Sequence, residues 1–185
     1  MANLRDIDKQ FKQEGPCCVL SSYSIIINYF SRNKLDVEKL LGDYCNYMNI
    51  PEELSKKDRE KEICKAYHAY CLPINKRGFD YIKELHEKNE LGTREICDVF
   101  YSEFLVEPVS SDTIDRVKNS LKQDDRLLMA LYPYSTKEFH AIVIGWDTEQ
   151  EFFFVKDPNI IEPFKAENIF NQIQIYEYIL FKAHI

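Results

Sequence analysis

Two short segments of the chain carry residue types that could act together in nucleophilic chemistry. The first is Gln13-Glu14-Gly15-Pro16-Cys17-Cys18, followed by Val19-Leu20-Ser21-Ser22. Gly15-Pro16 interrupts the chain just before a long apolar stretch, so a cysteine here falls at a helix N-terminus. Unpaired backbone N–H groups and the helix dipole favour an anion at that position, which raises the thiolate fraction of a thiol. Ser21 and Ser22 are small enough for close packing behind the nucleophile. Gln13 is placed to donate its amide to an oxyanion, alongside a backbone N–H. A cysteine pair in an apolar helix is equally what core packing produces, and this segment alone does not choose.

The second segment is Phe139-His140-Ala141-Ile142-Val143-Ile144-Gly145-Trp146, with Phe152–Lys156 and Asp157-Pro158-Asn159 after it. His140 heads one apolar strand and Asp157 closes the next. In a hairpin turning at Asp147–Gln150, the start of the first strand lies beside the end of the second. Local geometry therefore brings His140 to Asp157, and a carboxylate there orients an imidazole and favours its cation. Asn159 could assist the imidazole instead, although an Asn after Asp-Pro more often makes a turn. Trp146 could shield the His–Asp contact or belong to ordinary core.

These elements need a scaffold, and the patterning supplies one in two parts. Helical spacing covers Cys18–Phe30, Asp36–Tyr44 with Asp36 as N-cap, Pro51–Ala69 and Phe79–Lys88. The later half predicts a short strand at Glu103–Val109 and a helix at Ser111–Leu121, capped by Ser111-Asp112. Strands follow at Arg126–Tyr132, His140–Trp146, Phe152–Lys156 and Ile173–Phe181, all rich in β-branched and aromatic residues. The expected class is α+β, with an N-terminal helical part packed on a C-terminal antiparallel sheet. At 185 residues, without repeats or a low-complexity linker, the chain is expected to be one domain spanning 1–185.

Composition narrows the function classes. Hydrophobic residues make up 45% and aromatics 14%, which excludes a disordered chain. The net charge of −7, without a Lys/Arg-rich run, argues against nucleic acid and suits a peptide or protein substrate. The polar N-terminus and the short apolar runs predict no cleaved signal and no membrane insertion, hence a cytoplasmic protein unless exported without a signal. Six cysteines at 17, 18, 45, 64, 71 and 97 form no disulfide framework. Cys64, His68 and Cys71 sit near helical spacing but lack a fourth ligand, so packing is preferred to zinc. No metal or cofactor is expected. His68, His86 and His184 lie in charged or terminal segments and carry no site signal.

The run from Cys18 to Phe30 resembles the catalytic helix of leader-peptidase domains that process double-glycine bacteriocin precursors, and that of phytochelatin synthases. The shared features are Ser21 and Ser22 after the cysteine, the apolar triplet Ile25–Ile27 and the aromatic Tyr29. The strand His140–Gly145 and the following Asp157-Pro158 resemble the corresponding segments of those families, as do the helix and strand before His140. The resemblance covers about residues 10–30 and 111–160, and the helical middle, about 31–100, has no counterpart. It implies a papain-like fold and a Cys18–His140–Asp157 triad, with Gln13 in the oxyanion hole. The glutamine departs from the family spacing by one residue, and Val19 replaces a glycine that often follows the nucleophile. Cys17 is an alternative nucleophile; the small residues at both the third and fourth positions after Cys18, and the glutamine spacing, favour Cys18. The implied activity is peptide or amide hydrolysis through a thioester. Deamidation and acyl transfer run on the same triad, and an inactive binding module is the alternative outside catalysis.

Overall fold

A computed structural model describes residues 7, 18–31, 37–47, 58, 73–89, 91–102, 107–123, 125–134 and 139–184. Helix α1 spans Cys18–Phe30, α2 Val37–Tyr47 and α3 Pro73–Lys88, and a 3-10 turn follows at Thr93–Glu95. Strand β1 is Cys97–Tyr101, α4 is Ser111–Leu121, β2 is Arg126–Pro133 and β3 is Phe139–Asp147. The chain continues with β4 at Phe152–Lys156, β5 at Phe164–Lys165, the short helix α5 at Ile169–Gln172 and β6 at Glu177–Ala183. Among the described residues the strands form one sheet in the order β1-β6-β2-β3-β4-β5, and each neighbouring pair is antiparallel. The architecture is therefore α+β, with helices packed on an antiparallel sheet. No helix among the described residues is long and apolar enough to cross a membrane.

The sheet is apolar on both faces because it is covered on both. Alternate residues Leu127, Met129, Leu131, Ala141, Val143, Phe154 and Phe181 pack with side chains of α1, α2 and α3 in one core. The intervening Leu128, Ala130, Ile142, Ile144 and Val155 meet Val117 and Leu121 of α4 and Ile169 of α5 in a second. A strand buried on both sides reads as a continuous hydrophobic run, which explains why β2 and β3 show little polar alternation. Helix α1 is similarly buried without interruption from Cys18 to Ile27.

Several boundaries differ from the sequence expectation. A strand that the sequence did not predict spans Cys97–Tyr101, and the described part of the strand expected at Glu103–Val109 is not in a strand. Residues 103–106 lie outside the described region, and Glu107–Val109 leads into α4 without strand pairing. The alternation of Cys97, Val99 and Tyr101 inward is short and flanked by charge, so it is easily overlooked. The α4 cap is Ser110, whose Oγ accepts from the Thr113 N–H at 3.4 Å, one residue before the expected Ser111-Asp112. Ile173–Ile175 stays outside β6, where the Ile175 carbonyl accepts from the Val109 N–H at 2.7 Å. Asp36 and nearly all of Pro51–Ala69, with Cys64, His68 and Cys71, lie outside the described residues.

The β3–β4 hairpin is secured at its turn by Asp147, which is fully buried. Its Oδ1 accepts from the backbone N–H groups of Glu149 at 3.1 Å and Gln150 at 2.9 Å. Short side-chain acceptors of this kind favour turns by replacing backbone partners. Gly145 then allows the hairpin to pack closely. A Cβ placed there would lie 2.7 Å from Phe154 Cε1 and 2.8 Å from Leu127 Cδ2. Gly145→Ala should accordingly cost about 1–3 kcal/mol through overpacking. Urea unfolding monitored by far-ultraviolet circular dichroism tests this; an unchanged midpoint would contradict the close packing.

Candidate active site

Cys18 is the first residue of α1 and its side chain is buried. The helix is tied to the sheet one turn later, where Ser22 Oγ donates to the Ala141 carbonyl at 3.2 Å. Ala141 neighbours His140, so this bond sets the helix start against the start of β3. Ser24 Oγ turns inward on its own helix and donates to the Leu20 carbonyl at 2.9 Å. The hydroxyls of both serines are thus satisfied in a region where an unpaired one would be costly.

His140 is buried beside Asp157: its Nε2 lies 2.8 Å from Asp157 Oδ1, and Cys18 is near enough to raise its basicity. With Nε2 facing Asp157, Nδ1 is the ring nitrogen left for the thiol. Asn159 approaches from the same turn: its Nδ2 is 3.4 Å from His140 Nε2, and its backbone N–H donates to Asp157 Oδ1 at 2.8 Å. Asn159 therefore shapes the carboxylate turn, and its amide stays a longer contact to the ring than Asp157.

Electrostatics favour the ionised His140–Asp157 pair. Burial opposes protonation of His140, but the hydrogen bonds to Asp157 and Cys18 and their charges outweigh it, raising its pKa to about 9. Burial likewise opposes charge on Asp157. Hydrogen bonds from His140 and the Asn159 N–H, with the nearby His140 and Lys156 charges, hold its carboxyl below the usual carboxylate range. A second His–Asp pair, His184 with Asp98 at 2.9 Å, lies on the exposed surface.

Three further residues complete the surroundings without having been anticipated. Tyr132 stands edge-on to the imidazole with centroids 5.9 Å apart, and Tyr134 does so at 5.7 Å. Burial first, then the charges of Asp157, Tyr134 and Cys18, push the Tyr132 hydroxyl up to about 12. Lys156 is fully buried, and its Nζ donates to the carbonyls of Ile160 at 2.6 Å and Ile161 at 2.7 Å. This ammonium gathers the turn that starts at Asp157. Trp146 takes no part: it packs on Phe153 with centroids 4.8 Å apart, in the α4-side core at the far end of β3. Gln13 and Cys17 lie outside the described residues.

The arrangement offers an imidazole hydrogen-bonded to a carboxylate, with a thiol at the nearby start of a helix. No protein-family model matches the chain. No curated protein matches it in sequence. Among solved structures, the Pseudomonas avirulence protein AvrPphB aligns over 99% of this chain and 100% of its own, with 11% identity and a TM-score of 0.34.

The raised basicity of His140 has a direct signature. In ¹⁵N-histidine NMR spectra the His140 ring should titrate near pH 9 and remain cationic through neutrality. Asp157→Asn should move that titration back toward the ordinary value of about 6.5. The contribution of this ionisation to folding stability is complete below about pH 6.5 and is lost as pH rises through about 9. A His140 ring that is neutral at pH 7.5 in the unsubstituted chain would refute the ionised pair.

Proposed function

We propose that the chain is a papain-like cysteine hydrolase that cleaves a peptide or amide bond, with Cys18, His140 and Asp157 as its triad. The observation that carries this reading is the 2.8 Å contact of the buried His140 ring with Asp157 Oδ1, at the end of the sheet where α1 begins with Cys18. A cysteine at a helix start beside a carboxylate-oriented imidazole suits the roles of nucleophile, base and orienting group.

In the mechanism, the Cys18 sulfur adds to the carbonyl carbon of the scissile amide as a thiolate paired with the His140 imidazolium. The carbonyl electrons move to oxygen. The backbone N–H of Cys18, at the first residue of α1, is proposed as one donor to that oxyanion. Gln13 is proposed as the second donor. Collapse of the tetrahedral adduct breaks the C–N bond, and His140 transfers its proton to the departing amine. Neutral His140 then takes a proton from water, whose oxygen attacks the thioester carbon. The acid product leaves, and the sulfur returns to its ion pair with His140. Asp157 keeps the ring oriented and stabilises its cation throughout.

The direct test is alkylation with limiting iodoacetamide at pH 6, located by peptide mass spectrometry. A free thiol near pKa 8.5 is almost wholly protonated there and reacts slowly. Cys18 should label at least about tenfold faster than the other cysteines, and His140→Ala should remove that advantage. Fast labelling at Cys17 would transfer the nucleophile to that residue, whereas uniformly slow labelling of all six would exclude an activated thiol. Once a substrate has been found by peptide-library screening, Gln13→Ala should lower kcat by about 10²–10³-fold. A smaller loss confined to KM would remove Gln13 from the oxyanion hole. Activity should decline as pH rises through about 9, where His140 loses its proton. Asp157→Asn should move that decline to lower pH, which kcat measured across pH 5–10 would reveal.

A further inference from the structure

On the sheet face opposite α1, the space between α4 and strands β6 and β1 forms a cavity of about 1010 Å³. None of its lining residues belongs to the Cys18–His140–Asp157 group. Its character comes from three cations: Arg116 from α4, Arg126 from the start of β2 and Lys182 from β6. Among the described residues none of the three forms an ion pair. In a chain of net charge −7, three cations in one concavity without an ion pair are a local reversal.

The sheet register sharpens this. Arg126 is directly opposite Lys182, so both side chains leave the same face from neighbouring positions. Like charges so placed repel and destabilise the pairing. Asp98 is directly opposite Lys182 on its other side; its carboxylate is bonded to His184 and also feels the Lys182 charge, without an ion pair between the two. Glu107 is the one carboxylate among the described lining residues, and it is exposed. The guanidinium of Arg126 is itself only partly satisfied. One terminal nitrogen donates to Ser120 Oγ, while the buried Nε has no hydrogen-bond acceptor. Arg116 Nη2 donates to Thr113 Oγ1 at 3.1 Å, a neutral partner. Beside the cations, Val109, Val117 and Leu180 give the cavity an apolar wall.

We propose that this cavity binds an organic phosphate, with the phosphoryl group on the three cations and an apolar or aromatic body against the wall. A phosphate monoester carries close to two negative charges at neutral pH and three terminal oxygens. It can therefore engage three separate cationic side chains, whereas a carboxylate brings one charge and two oxygens. Guanidinium groups match phosphate oxygens in pairs. The volume suits a small organic molecule.

Isothermal titration calorimetry of the full chain with 1-naphthyl phosphate, 1-naphthol and inorganic phosphate tests the assignment. Naphthyl phosphate should bind at least about tenfold more tightly than either fragment. Lys182→Gln and Arg126→Gln should each weaken it by about tenfold or more, the effect of losing a charge-assisted contact. Arg126 is half-buried, so Arg116→Gln, at an exposed helix position, provides the same readout without disturbing the sheet. Cys18→Ala should leave the affinity unchanged, which separates this site from the proposed hydrolase chemistry. Absence of binding at millimolar concentration, equal binding of naphthol, or affinity indifferent to all three charge substitutions would overturn the proposal.

Discussion

The hydrogen bond from Ser22 to the Ala141 carbonyl is the joint on which the site depends. A helix advances about 1.5 Å per residue, so a slip of one position along β3 would shift the Cys18 end of the helix relative to His140. Apolar packing alone resists such sliding weakly, because one aliphatic side chain can replace another at the interface. A buried hydroxyl and a specific carbonyl cannot be exchanged in that way, since a slip leaves both unpaired. The uninterrupted burial of Cys18–Ile27 supplies adhesion, and Ser22 supplies registration.

A second constraint is the cost of keeping charge at the edge of a double-faced apolar sheet. His140, Asp157 and Lys156 meet where β3 begins and β4 ends, and each is largely withdrawn from water. Each has short polar partners that offset the cost of burial: the imidazole has a carboxylate, and the Lys156 Nζ has two carbonyls. Lys156 thereby acts twice, through its field on Asp157 and through its grip on Ile160 and Ile161. The orientation of the imidazole thus rests on a turn held from beneath.

What the sequence revealed follows the range over which each contact acts. His140 and Asp157 are legible together because an antiparallel hairpin is a local object whose pairing can be counted from its turn. Cys18 is legible through Gly15-Pro16 and the apolar run, which announce a helix start. The chain pattern does not announce Ser22 as a tether, since a small residue in a helix looks the same whether it packs or bonds across the sheet. Lys156 reads as the polar end of a strand, and only tertiary burial makes it a clamp. Tyr132 and Tyr134 read as strand aromatics, and their edge-on approach to His140 depends on the β2–β3 register. β1 escaped for a different reason: it pairs with β6, far away in sequence, so no nearby turn marks it.

The strand order also limits which edges of the described sheet are open to pairing with another chain. The buried strands β2 and β3 are fully paired, and the borders of the described sheet fall to β1 and β5. β5 is only two residues long, offering a pairing template of roughly 7 Å. At the other border, exposed Asp98 places an acidic group along the outer strand, and identical chains meeting there would bring like charges together. The sequences most prone to intermolecular pairing are thus enclosed, and the borders that remain open are short or charged.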